Sequence, residues 1–440
     1  MPGRSLLKAM ALLVTLVMTE HAGFAQHISS LDRERALVML QTVGADVRKY
    51  YYDAKLHGVN WDAKVSEAKE KIAKATSYNE AVLDIAALLE TLDDSHTSFA
   101  PPSDPIPQEY GWRFQMVGAR CFVTHVQPKS DAELKGVKPG DEILTLNGFA
   151  PTRGGLPKME YALFQLVPQS SLRLDLRSPS GKISHVEVKA KVRQARRVTD
   201  LQNDTGRDAW SLRLEEEDER RLTRPQYREL SNGLMILKLP LFDLTAAAVD
   251  EIIRKARNHD TLIVDVRGNP GGAEHTLQDL LGGLFEKEVK IANRVTRESP
   301  KPVVAKPQHN VFTGKLIVLV DSNSASASEL LARVVQIERR GIVMGDRTSG
   351  SVMEAKFYSH RIGSQPYFYY GTEISEADLV MTDGNSLEHT GVIPDEAKLP
   401  VATDLANKLD PVLAHAAETA GAVLTPEQVG SLFPFEWPKR

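Results

Sequence analysis

A serine where a strand runs into a helix is placed for nucleophilic chemistry. This sequence has one within Ser324-Ala325-Ser326-Ala327-Ser328-Glu329. The apolar run Leu316-Ile317-Val318-Leu319-Val320 precedes it, and a helical pattern follows to about Arg339. At such a helix start the dipole and the unpaired N–H groups favour the negative charge that grows on an attacked carbonyl. The same serines also suit plain helix capping. A second junction, Arg267-Gly268-Asn269-Pro270-Gly271-Gly272, ends the run Thr261–Val266. Glycines there either make a tight turn or free amides for an oxyanion hole. The G-x-S-x-G nucleophile elbow and the H-E-x-x-H zinc motif are both missing from the sequence, so neither that hydrolase type nor zinc hydrolysis has support.

Both junctions need a sheet to hold them. From residue 233 onward apolar β-branched runs alternate with helical patterns: Leu234–Leu239, Thr245–Ala256, Thr261–Val266, Thr276–Phe285, Leu316–Val320 and Gly341–Met344. This alternation predicts an α/β core whose strands are buried on both faces. Ligands then bind at the carboxyl ends of the strands, where both junctions lie. Residues 26–107 read as a helical N-terminal region, with Gly58 and Asn60 marking a turn and Asp62 expected to cap the next helix. Residues 108–195 read as a small β-rich domain, residues 196–232 as a charged linker, and residues 233–440 as the core with a C-terminal extension.

The order of motifs carries a family resemblance. A helical segment ends in Ser95-His96-Thr97-Ser98, a β-rich domain follows, then Asp265-Val266-Arg267-Gly268-Asn269-Pro270-Gly271-Gly272, then Ser324–Glu329. The chain resembles the C-terminal-processing (tail-specific) serine peptidases of family S41 and their tricorn-type relatives. The resemblance implies a multidomain α/β fold with a crotonase- or ClpP-like catalytic core. Carried over by motif, it makes Ser326 the nucleophile, with amides of Gly271, Gly272 and Ala327 as the oxyanion hole. The processing peptidases use a lysine base, but Ser351 stands at that position here and Lys356 is displaced from it. The tricorn-like branch instead implies His96 as base, oriented by Ser95, with Glu388 late in the core. His275 is the runner-up base, ahead of His360 and His389. The middle domain resembles a PDZ domain through Gly136-Val137-Lys138-Pro139-Gly140-Asp141-Glu142-Ile143-Leu144-Thr145-Leu146-Asn147-Gly148. Its peptide-binding loop is then Gly111-Trp112-Arg113-Phe114, where bulky Trp112 departs from the usual form.

Residues 1–25 read as a signal peptide, with Arg4 and Lys8 before the apolar run Ala9–Met18 and small residues at Gly23 and Ala25. Export to the periplasm or outside the cell is therefore expected, and no membrane span remains after cleavage. Among 440 residues the net charge is −4, which lacks the basic footprint of a nucleic-acid binder. The single cysteine, Cys121, excludes an intramolecular disulfide and is expected to be buried. The combined expectation is an exported serine endopeptidase without cofactor or metal. It acts on protein or peptide substrates, which can be held through a C-terminus. The rival is a non-catalytic binding protein on the same fold.

Overall fold

The computed structural model describes residues 28–102, 108–192, 216–230, 233–364 and 367–439. The signal-peptide reading, 1–25, lies outside the described residues. Three helices open the described chain: α1 (Ser30–Tyr50), α2 (Trp61–Lys74) and α3 (Tyr78–Leu89). Each start has a side-chain cap that takes up an otherwise unpaired amide. Ser29 accepts from the Asp32 N–H, and Ser77 with Glu80 forms a reciprocal capping box. Asn60, rather than the expected Asp62, caps α2 by accepting from the Ala63 N–H at 3.2 Å. A left-handed Asp93 stops the helical run, and the chain enters strand β1 (Ser98–Ala100).

Strand β2 (Gln108–Glu109) pairs with β8 (Lys191–Val192) and so closes the base of the middle unit. Between them lies an antiparallel sheet in sequence order: β3 (Trp112–Val117), β4 (Arg120–Val126), β5 (Glu142–Leu146), β6 (Ser171–Arg177) and β7 (Ile183–Lys189). Helices α4 (Asp131–Leu134) and α5 (Leu156–Glu160) pack Ala132, Leu156 and Met159 into its core. Cys121 is buried in β4. β3 is an edge strand, so one side of its backbone has no strand partner.

A six-stranded sheet forms the centre of the molecule. It contains β9 (Gln226–Leu230), β10 (Leu234–Lys238), β11 (Thr261–Asp265), β14 (Lys315–Val320), β15 (Ile342–Gly345) and β18 (Glu396–Ala397), with β9 antiparallel at one edge and the rest parallel. Alternation along the strands divides it between two cores. Leu262, Val264, Leu316, Val318 and Val320 join one cluster, beneath α6 (Ala246–Ala256), α7 (Glu274–Gly282) and α8 (Ala327–Ile337). Ile263, Ile317 and Leu319 face the other, covered by α10 (Pro411–Thr419) and α11 (Pro426–Gly430), which follow the short α9 (Ala402–Asn407). That double burial explains the unbroken apolar runs. β9 falls inside the segment expected to be linker, and residues 216–223 are helical. The sheet therefore starts ahead of residue 233, because the polar-looking strand Gln226–Leu230 is an edge that meets solvent on its outer side.

A second sheet combines β12 (Val289–Val295), β13 (Lys301–Ala305), β16 (Met353–Ile362), β17 (Phe368–Met381) and β1. Ser98–Ala100 pairs with Gly371–Glu373, which brings the end of the helical region onto the core.

Candidate active site

Ser326 caps α8 with φ 53° and ψ −116°. A non-glycine residue at positive φ is costly unless its surroundings impose it, and here three segments do. The Ala325 N–H donates to Asn269 O at 3.0 Å, the Ser326 N–H to Ser351 O at 2.9 Å, and the Ser349 N–H to Ser324 O at 3.0 Å. Ser324 Oγ donates to Val266 O and Ser328 Oγ to Asn269 O. Beneath the serine lies the fully buried Glu329. Its carboxylate accepts from the Ser326, Gly350 and Ser351 amides and from Thr348 Oγ1 at 2.5–3.1 Å. Burial pushes its pKa up to about 7 even against these donors.

The Gly271-Gly272 turn closes against the serine. A Cβ on Gly271, at φ 106°, would lie 2.7 Å from Ser326 Cβ, and one on Gly272 would lie 2.3 Å from Phe242 O. Only glycine permits this approach. One expectation is corrected: the Gly271 N–H is donated to Asn269 Oδ1 at 2.8 Å, so it is not available to an oxyanion. Among the described residues the amides of Gly272 and Ala327 have no such acceptor. The Asn269 side chain, bracing the turn from within Gly-Asn-Pro-Gly-Gly, is what spacing alone did not reveal.

Ser95, His96 and Glu388 meet although Glu388 is 293 positions from Ser95. Ser95 donates its N–H to Glu388 Oε1 at 2.6 Å and its hydroxyl to Glu388 Oε2 at 2.9 Å. Ser95 Oγ lies 2.7 Å from His96 Nδ1. The Val352 N–H also donates to Glu388 Oε2, at 2.8 Å. The residue before Val352 is Ser351, whose carbonyl holds the Ser326 amide, so the histidine and the serine are joined through one continuous set of bonds. Ser95 has a single hydroxyl proton. With that proton donated in the hydrogen bond to Glu388, Ser95 Oγ accepts from Nδ1–H, which leaves Nε2 of His96 with a free lone pair. Asp94 fixes the loop by accepting from the His96 and Thr97 amides and from Ser375 Oγ. Burial lowers the His96 pKa against the pull of Asp94, and burial raises that of Glu388 against its donors and His389. Neither Ser326 Oγ nor His96 Nε2 has a hydrogen-bond partner among the described residues, which is usual where the productive contact tightens only on substrate binding.

Among the described residues none of the other candidate side chains bonds to Ser326 or His96, although Ser351 and His389 are neighbours of the site through Ser351 O and Glu388. Ser351 Oγ contacts Ser349 Oγ at 2.9 Å. Lys356 is exposed on β16 with its ammonium over the Tyr358 ring. His360 binds Asp46 at 2.6 Å, and His389 Nε2 contacts Asp93 O at 2.7 Å. His275 sits in the first turn of α7. Glu329, Asn269 and Asp94 were missed as site residues. The Ser326-x-x-Glu329 spacing of a capping box was the one available signal. Among the described residues no His, Cys, Asp and Glu group suits a metal ion.

Gly111 has φ 72°, and a Cβ there would clash with Ser130 Cβ at 2.3 Å. Gly111, Trp112, Arg113 and Phe114 line a cavity of about 270 Å³ at the edge strand β3. The far end of β3 reaches the loop that leads to Ser326, since Ser322 Oγ donates to Met116 O at 2.5 Å.

A strained serine over a glycine turn, linked through Ser351 and Val352 to a carboxylate–serine–histidine chain, is an arrangement that suits serine-type peptidase chemistry. Residues 233–397 match peptidase family S41. It is 23% identical to carboxyl-terminal-processing peptidase 3, chloroplastic, of Arabidopsis thaliana, across 79% of this chain and 66% of that protein. It is 22% identical to the carboxyl-terminal-processing protease of Picosynechococcus sp., across 80% of each. The fold is similar to that of mature CPAF complexed with lactacystin, with TM-score 0.64 at 15% identity, covering 92% of this chain and 99% of that one. The chain thus spans just under two thirds of the Arabidopsis protein. Among the described residues no helix is long and apolar enough to cross a membrane.

Proposed function

We propose that this protein is an exported serine endopeptidase that cleaves protein or peptide substrates through an acyl-enzyme on Ser326. His96 Nε2 takes the Ser326 hydroxyl proton as Oγ bonds to the scissile carbonyl carbon. The resulting oxyanion is held by the Gly272 and Ala327 amides, a type of contact worth ~3–4 kcal/mol in the transition state. His96 then returns the proton to the departing amine as the C–N bond breaks. A water deprotonated by the same nitrogen hydrolyses the ester. Ser95 and Glu388 hold the imidazole in its working tautomer. What carries this reading is the bonded chain Glu388–Ser95–His96, at 2.9 and 2.7 Å, beside a serine forced to positive φ.

The middle unit is a PDZ-like peptide-binding module, and Gly111–Phe114 on the edge strand is where an extended segment adds. The relatives' names, carboxyl-terminal-processing peptidase or protease, favour protein substrates. The test compares wild type, Ser326→Ala and His96→Ala, each with a fluorophosphonate probe and an unfolded protein. Labelling and cleavage by wild type alone is the expected outcome. Activity retained by His96→Ala removes it as base. An inert wild type favours a non-catalytic binding protein.

A further inference from the structure

The cavity at β3 is already visited by the protein itself. Trp437 and Pro438 form part of its wall, opposite Trp112 and Phe114. The Arg113 guanidinium lies over the Trp437 ring, 5.6 Å from its centre. Phe435 stacks on His125 at 3.9 Å and meets Trp437 edge-on at 5.0 Å. The segment is held from behind by the helical residues 216–223. Arg221 donates to Trp437 O at 3.0 Å and forms an ion pair with Glu436, and the Lys439 N–H donates to Asp218 Oδ2 at 2.8 Å.

Resting on the reading of Gly111–Phe114 as a peptide site, we propose that the groove takes an internal aromatic segment and that Phe435–Pro438 is its resident occupant, which substrate must displace. Three observations support this. The occupant meets the groove with the Trp437 ring and Pro438, while Phe435 packs beside it on His125, and a buried indole is the kind of area that dominates peptide anchoring. Glu109 and Glu160 line the same cavity as Arg113, so a terminal carboxylate would face acidic neighbours. And Trp112 Nε1 is buried with no acceptor among the described residues, while the Trp437 carbonyl is turned to Arg221. A substrate backbone carbonyl that met this donor would gain a contact the resident lacks, and so could replace it.

An occupied groove lowers apparent affinity by the fraction of molecules in which it is open. The experiment uses the full chain carrying Ser326→Ala, so that no turnover occurs. The probe is a blocked, fluorescein-labelled hexapeptide with an aromatic residue two positions before a Trp-Pro pair. Its affinity is measured by anisotropy for the parent, for Arg221→Ala, for Trp437→Ala and for a chain ending at Leu432. Releasing the segment by any of the three changes is expected to tighten binding about tenfold or more. Trp112→Ala is expected to weaken it. If all three changes leave affinity unaltered while Trp112→Ala weakens it, the groove binds peptide but the resident-occupant proposal is wrong. If the hexapeptide binds none of them, or binds regardless of Trp112, the reading of the groove falls and takes this proposal with it. Arg221→Ala leaves every cavity side chain intact, so it decides the matter should the shortened chain fail to fold.

Discussion

At the scale of single residues the site is governed by three groups, Glu329 fully buried and His96 and Glu388 half-buried, that answer differently to pH. Burial lowers the pKa of His96, so the imidazole stays neutral below the usual value of ~6.5. Burial raises that of Glu388, whose ionised form accepts from Ser95 more strongly than the neutral acid. Acid therefore removes activity through two interacting groups, and the acid limb of kcat/KM is expected to have its midpoint below ~6.5. Ser95→Ala cuts the link between them, and kcat should fall about 10- to 100-fold with KM little changed. An unchanged kcat in Ser95→Ala would remove Ser95 from the mechanism. Glu329 makes the opposite kind of demand. Its folded pKa of about 7 lies above the ordinary 4.5, so the folded chain holds this proton more tightly than the unfolded one. That contribution to stability is complete below ~4.5 and is lost as pH rises through ~7, about 3 kcal/mol in all. Glu329→Gln removes this term. Urea unfolding at pH 5 and pH 8 should show wild type losing stability relative to Glu329→Gln as pH rises, and parallel curves would refute the shift.

At the scale of elements, what matters is how closely the Arg267–Gly272 turn approaches the start of α8. Gly271→Ala adds a methyl 2.7 Å from Ser326 Cβ at φ 106°. The serine or the turn must move, and kcat should drop 100-fold or more, since displacement of ~1 Å at a reacting group is enough for such a loss. Gly268→Ala is the control. It too has positive φ, but a Cβ there meets nothing within 4 Å, so it should cost only ~1–2 kcal/mol of stability and leave kcat near wild type. Equal losses of activity in the two variants would show that backbone strain, not contact with Ser326, is decisive.

At the scale of the whole molecule, the middle unit is fastened to the core at the loops that form the site. Arg153 donates to Gly118 O and to Arg347 O at 2.7 Å each and pairs with Asp346, while the Gly118 N–H also binds Asp346, at 2.8 Å. These contacts lie just ahead of Ser349–Ser351, which brace the Ser324–Ser326 loop. Arg153→Ala should speed hydrogen exchange in 112–118 and 346–351 together and reduce kcat/KM several-fold. Faster exchange in one segment without the other would mean that the two units are not coupled through this residue.

The local chemistry was written in the sequence. Apolar β-branched runs specified the buried parallel strands, glycines marked the turn that touches Ser326, and the serines of Ser324–Ser328 marked the start of α8. Motif order singled out Ser95, His96 and Glu388. Other features depended on contacts between residues far apart in the chain, which no local pattern encodes. Gly271 looked as suitable an oxyanion donor as Gly272 until the Asn269 side chain was seen to take its N–H. Gln226–Leu230 looked like linker because an edge strand needs an apolar face on one side only. The meeting of Glu388 with Ser95 across 293 positions, and of Trp437 with the groove at Trp112, follows from sheet pairing and domain docking. The sequence by itself thus determined which groups are chemically able to act, and the tertiary structure alone decided which of their hydrogen bonds are already spent.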